Sequence, residues 1–207
     1  MAISTLLDLK AAIADFLNRD DLASVIPTFV SLVEADLNRS VRHWRMENRA
    51  TAPVSTQYSA IPSDFLEPIR LHLETTDYRL LTPTSSQDLQ LRRSAGRDVA
   101  ARPEYYALTQ GEIELYPTPD DTYDLEMNYY ARIPALVNDP DTNWVLTYFP
   151  DAYLYGSLLQ SAPYLGEDAR SQVWATLYQR AISGMTTENE QMKFGGSGRR
   201  MTIRAYS

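Results

Sequence analysis

The stretch "EIELYPTPDDTYDLEMNYYARI", residues 112–133, decides how this chain is read. Ile113 and Leu115 alternate with Glu112 and Glu114, and Leu125 and Met127 alternate with Asp124 and Glu126. A period of two is that of an extended strand with one face on a core and the other in water. The intervening "PTPDDT" has the composition of a turn. Just upstream, "EYYALT" (104–109) alternates in the same way, and Gln110-Gly111 between Thr109 and Glu112 is a two-residue hairpin link. Further back, "PVSTQYSAIP" (53–62), "FLEPIRLHLE" (65–74) and "YRLLTP" (78–83) read as shorter strands broken by proline. The expectation is one twisted antiparallel sheet. Between its halves, "SSQDLQLRR" (85–93) suits a short helix, and "RRSAGRDVAARP" (92–103) suits a mobile basic loop.

On both sides of this region the period changes to that of a helix. Leu6, Leu9, Ile13, Phe16 and Leu17 form one stripe, with Ser4 or Thr5 as cap and Asp8 in the first turn. After the short link "RDD", Ile26, Phe29, Val30, Val33, Leu37 and Val41 form a second stripe, and Pro27 fits its opening turn. Beyond "NDPDTNW" a third helix starts at Pro150 and Asp151, carries Leu154, Leu158 and Leu159, and stops at Pro163. A fourth runs from about Glu167 to at least Met185 on Val173, Trp174, Leu177, Ala181, Ile182 and Met185. The expected fold is therefore α+β: an antiparallel four-helix bundle built from both ends of the chain, with an inserted antiparallel β-sheet and an extended C-terminal arm. The expected boundaries are 1–49 and 135–192 for the helical pairs, 50–134 for the sheet and 193–207 for the arm.

The arm follows from "MKFGGSGRRMTIRAYS", residues 192–207. Gly195, Gly196 and Gly198 resist both helix and strand and read as a hinge. Beyond them Met201, Ile203, Arg204 and Tyr206 lie in an alternating, strand-like segment. From Lys193 on the chain has the cations Lys193, Arg199, Arg200 and Arg204 and no acid, although the whole chain carries a net charge of −8. A pI near 4.8 argues against broad wrapping of DNA, which is driven by neutralising phosphates. Cysteine is absent, which excludes disulfides, thiolate nucleophiles and thiolate-held zinc. The opening "MAISTLLDLKAAIADFLNRD" has charges within its apolar pattern and reads as neither a signal peptide nor a membrane span. Fourteen tyrosines fit wet interfaces and an assembly protein, and a tyrosine-rich β core as well.

No residue pattern demands bond chemistry. His43 and His72 lack HExxH or other metal-ligand spacing, GxSxG is absent, and "GGSG" lacks the strand and helix of a phosphate loop. Neither a catalytic residue, a metal site nor a cofactor is expected. The acids Glu112, Glu114, Asp120, Asp121 and Asp124 sit around the hairpins, and parity puts the strand acids, Glu126 included, on the solvent face. Two carboxylates in a turn suit a glycosidase or a calcium site, and a solvated face equally. Two basic clusters oppose these acids: one includes Arg39, Arg42, Arg45 and Arg49, the other Arg92, Arg93, Arg97 and Arg102. Each suits a nucleic acid or an acidic partner, and Arg42 and Arg45 also suit the C-terminal dipole of their own helix. Finally, Ala152, Gly156, Ser157 and Ser161 make a smooth helix flank that admits another helix closely, here expected from the same chain.

Four blocks, in order, carry a family resemblance: "LKAAIADFLNRDDLASVIPTFVSLVEADLNR", "YSAIPSDFLEPIRL", "PTPDDTYDLEMNYYARIPAL" and "TNWVLTYFPDAYLYGSLLQSAPYL". Together they resemble the head-to-tail adaptor (connector) proteins of tailed bacteriophages, the short-tailed kind above all, over roughly residues 5–190. The resemblance implies a virion structural protein and no enzyme. It implies a homo-oligomeric ring, commonly of twelve copies, beneath the portal protein, which extends the DNA channel and offers its far side to a tail nozzle or other tail protein. It implies assembly in the host cytoplasm, no membrane, and DNA that passes without specific binding. In that setting Arg199, Arg200, Met201, Ile203, Arg204 and Tyr206 become the portal-docking arm. Glu112, Glu114, Asp120, Asp121 and Asp124 become channel-facing acids, and Arg42, Arg45, Arg92, Arg93 and Arg97 become partner contacts. Two other classes stay open on the residues: a virion-associated glycan hydrolase using the acidic hairpin, and a non-viral scaffold or binding module.

Overall fold

A computed structural model describes residues 2–19, 21–74, 79–97, 99–166 and 170–194, with the side chains of residues 97 and 194 outside the description. The chain divides into two compact units, Met46–Arg132 and the segments on either side of it. The hinge and docking residues 195–207 lie outside the described residues.

Among the described residues the outer unit holds five α-helices: α1 (Leu6–Leu17), α2 (Ile26–Ser40), α4 (Trp144–Tyr148), α5 (Pro150–Leu165) and α6 (Ser171–Phe194). Helix α1 starts at a capping box in which Thr5 Oγ1 accepts from the Asp8 amide at 3.2 Å and the Asp8 carboxylate accepts from the Thr5 amide at 3.0 Å. It ends at Asn18 in the left-handed region, φ 53°. Leu6, Leu9, Ile13 and Leu17 are buried as the stripe requires, whereas Phe16 is exposed. In α6, Trp174, Tyr178, Ala181 and Met185 are buried while Val173 faces outward. Helix α5 passes through Pro163 to Leu165. Proline has no N–H for the carbonyl four residues back, a loss that matters least in a final turn.

A four-helix bundle is not what forms. Helix α5 packs on α1, α2, α4 and α6 and is the hub of its unit. Its buried residues Ala152, Tyr153, Leu154, Gly156, Ser157, Leu158 and Ser161 spread around more than half of its circumference, as a central helix requires. Counting amphipathic stripes gave four equal helices because it missed both this central burial and the short α4, which is capped by Asn143 accepting from the Leu146 amide at 2.9 Å. The smooth flank of α5 is filled from within the chain. A Cβ on Gly156 would stand 2.9 Å from both γ carbons of Val33 on α2 and 3.0 Å from Cε2 of Tyr178 on α6.

The inner unit is built on two four-stranded sheets. The first has the order β1 (Glu47–Val54), β8 (Tyr123–Ala131), β3 (Phe65–Leu73), β4 (Arg79–Leu80), and the second the order β2 (Tyr58–Ala60), β7 (Glu112–Tyr116), β6 (Tyr105–Thr109), β5 (Thr82–Pro83). Val54, Leu71, Leu73, Leu125 and Met127 of the first pack with Tyr106, Ile113 and Leu115 of the second. The hairpin β6–β7 forms at the expected link, with Thr109 opposite Glu112 and positive φ at Gln110 (46°) and Gly111 (88°), as a tight primed turn requires. The expected single sheet is corrected to two. "PTPDDT" carries the chain from β7 in one layer to β8 in the other, and β5 pairs with β6 in parallel. Helix α3 (Ser86–Arg92), capped by Ser85, continues as a wide turn through Arg93–Arg97, and its Leu89 is buried with Ala107 and Tyr116 on the outer face of the second sheet.

Candidate functional site

The strand acids separate into two kinds. Glu112, Asp120, Asp121 and Asp124 are exposed. Glu114 is not: it is 2 % exposed, which corrects the solvent-face reading. Parity does place Glu114 on the face opposite the apolar core, but α3 and the turn after it cover that face. The carboxylate accepts from Gln57 Nε2 at 3.1 Å and Ser86 Oγ at 2.9 Å, and Arg93 Nη2 lies 3.5 Å away. Arg93 also donates to the Leu115 carbonyl at 2.7 Å and to Thr118 Oγ1 at 3.1 Å, and lies over the Tyr116 ring. One expected channel acid and one expected partner contact thus pair inside the unit and fasten the α3 segment to its sheet. A buried pair of this kind serves geometry more than stability.

Arg42, Arg45 and Arg92 are engaged within the chain too. Arg42 donates to the carbonyls of Asn38 (3.0 Å) and Val41 (2.7 Å) at the end of α2, the position where the helix dipole favours a cation. Arg45 pairs with Glu188 of α6 and lies over the rings of Trp44 (4.5 Å) and Tyr148 (4.0 Å). Arg92 pairs with Asp88 at 2.9 Å and lies over Tyr105 at 4.3 Å. For Arg97 only the backbone is described, in the turn after α3.

Helix α6 is longer than its apolar stripe and includes Lys193 and Phe194, since "TTENEQMKF" holds good helix formers. Near its end α6 is fastened to the segment after α2. Besides the Glu188 pair, Asn189 Oδ1 accepts from the Trp44 amide at 2.8 Å and its Nδ2 donates to the Arg42 carbonyl at 3.1 Å. His43 is fully buried beneath, stacked on Trp144 at 4.9 Å, and burial pushes its imidazole below the ordinary range. A second polar peg holds the segment leading into α4. Glu34 accepts from the Leu136 amide at 2.8 Å and from Tyr153 Oη at 3.2 Å, and Asn38 accepts from the Ile133 amide at 2.9 Å. Burial pushes the Glu34 carboxyl above the usual range against those two hydrogen bonds.

Sequence spacing missed one convergence. His72 of "HLE" is on β3 and Glu74 stands just past its end, and β3–β8 register puts His72 opposite Glu126. One ligand atom from each of these three residues lies within 4.8 Å of the others. Glu126 is 5 % exposed, again correcting the solvent-face reading, and its second oxygen is 3.1 Å from Arg49. The detectable signal was the His-x-Glu period, and the missing part was the register. No such grouping surrounds the acidic turn 120–121 among the described residues.

Among the described residues, no helix is long and apolar enough to cross a membrane. A comparison with curated proteins gives no match. A family model described as SU10 adaptor protein matches residues 4–202, which extends past residue 190 and into the arm. With residues 4–202 matched, the chain belongs to the SU10 adaptor protein family and is a structural head-to-tail adaptor of a phage.

Proposed function

We propose that the protein forms a ring beneath the portal, extends the DNA channel and presents its far side to a tail protein. The observation that carries this reading is the family match from residue 4 to residue 202, which takes in both units and most of the basic arm. The helical unit supplies a firm root for the arm at Glu188 and Asn189. Beyond it Arg199, Arg200 and Arg204, with Met201, Ile203 and Tyr206 alternating among them, bind acidic or sheet-edge surface on the portal. Ordering such a segment costs roughly 1–2 kcal/mol per residue in backbone entropy, so it orders where the portal supplies a surface. Many arms on one ring make individually weak contacts long-lived together. Glu112, Asp120, Asp121 and Asp124 are the exposed acids available to repel DNA in the channel, and Glu114 is withdrawn from that set.

Deleting residues 195–207 tests the assignment in a co-sedimentation assay with purified portal. Loss of binding with an unchanged thermal melt is expected, and undiminished binding refutes the arm's role.

A further inference from the structure

We propose that His72, Glu74 and Glu126 form a binding site for a divalent transition-metal ion, with Zn²⁺ as the natural occupant. The argument starts from the backbone. His72 lies on β3 with Glu126 of the neighbouring β8 directly across from it, and Glu74 follows one residue past the end of β3, two residues beyond His72. The sheet therefore fixes two donors, and the Glu74 amide, donating to the Asp124 carbonyl at 2.8 Å, holds the third beside them. Their ligand atoms converge within 4.8 Å.

His72 Nε2 and Glu126 Oε1 stand 3.9 Å apart. That distance is too long for a hydrogen bond. Two ligands of one tetrahedral zinc, each at 2.0–2.2 Å, stand roughly 3.4 Å apart, so this pair closes by about 0.5 Å and the exposed Glu74 side chain needs to move by no more than about 1.4 Å. Glu126 divides its oxygens: Oε2 faces Arg49 at 3.1 Å while Oε1 faces His72, so the arginine holds the carboxylate in place without covering the atom aimed at the site. His72 and Glu126 are 3 % and 5 % exposed, whereas Glu74 is exposed and gives an entry path.

The charge balance also favours a dication. Two carboxylates against one arginine leave a net negative charge, and Asp124, two residues before Glu126 on the same face, adds to it. One imidazole and two carboxylates are borderline-to-hard donors, which select Zn²⁺ over the oxygen-only ions Mg²⁺ and Ca²⁺. Three protein ligands leave a fourth position for water. The ion would clip β3 to β8, the central pair of the first sheet.

The test uses full-length protein purified without a metal-affinity tag, stripped with chelator and titrated with zinc against a chromophoric chelator in excess Mg²⁺ and Ca²⁺. The expected result is one equivalent of zinc per chain and a raised melting temperature. Affinity should fall at least about tenfold in both His72→Asn and Glu74→Gln, since losing even an outer partner of a bound metal costs about 10–100-fold. Glu74 is exposed, so its variant tests the site without disturbing the fold. Cobalt added to the unmodified protein should give intense visible bands of four- or five-coordination. Absence of zinc uptake, uptake unchanged in both variants, or the weak spectrum of hexaaqua cobalt would each overturn the proposal.

Discussion

Replacing Gly156 by alanine tests whether the smooth flank of α5 is filled from within the subunit. In an exposed helix the change would stabilise by about 1 kcal/mol through propensity alone. Here the new methyl meets Val33 Cγ1 and Cγ2 at 2.9 Å and Tyr178 Cε2 at 3.0 Å, against ordinary carbon contacts of about 3.5–4.0 Å. Neither neighbour yields easily. Val33 is β-branched and held near one rotamer in α2, and the Tyr178 hydroxyl donates to Asp36 at 2.7 Å. Overpacking costs roughly 1–3 kcal/mol, and strain on that hydrogen bond adds a fraction of roughly 0.5–1.5 kcal/mol. Set against the propensity gain, the net is a destabilisation of about 1–2 kcal/mol, or a melting temperature lower by about 2–8 °C for a chain of this length. Gly184 of α6 is the internal control: a Cβ there meets nothing within 4 Å, so Gly184→Ala should stabilise by about 0.5–1 kcal/mol. Calorimetry reads both, and in a Val33→Ala background the added cost of Gly156→Ala should shrink through a coupling of about 1 kcal/mol. A Gly156→Ala variant as stabilised as Gly184→Ala would refute the reasoning and return the flank to a neighbouring subunit.

Three further outcomes follow from the internal polar contacts. Arg93→Met leaves the buried Glu114 with Gln57 and Ser86 only and should cost roughly 3 kcal/mol in urea denaturation, while Glu114→Gln, which keeps those hydrogen-bonding partners, should cost less. The Glu34 carboxyl is held above its ordinary value of 4.5, so the folded state keeps its proton to higher pH than the unfolded chain does. Stability is therefore fully present below 4.5 and declines as pH rises through the folded value, and Glu34→Gln should flatten that part of a denaturation-midpoint profile relative to the parent. Asn189→Ala frees the Trp44 amide and the Arg42 carbonyl, and should speed hydrogen exchange in the last turns of α6 while leaving α1 unchanged.

Local pattern carried much of this fold. Thr5 and Asp8 announced the start of α1, Pro27 the start of α2, and Gln110-Gly111 the β6–β7 hairpin, because each depends on residues a few positions apart. What failed depends on partners far along the chain. Alternation showed that Glu114 and Glu126 point away from the apolar core, but it could not show that α3 lies over one, or that Arg49 and His72 meet the other. The same distance effect hid α5's central position, since α1, α2 and α6 reach it from separate parts of the sequence. Spacing likewise could not show that Arg45 and Arg93 find aromatic rings and a carboxylate within their own units. Family membership was legible from the order of four blocks, and the comparison extended it into the arm.

Electron microscopy of the purified portal mixed with this protein tests the adaptor assignment most directly. The prediction is a closed ring of copies under the portal, coaxial with its channel, with density from each chain's last residues lying on portal subunits. A portal that stays bare at saturating protein, or copies bound with their C-terminal residues turned away from it, would contradict the account.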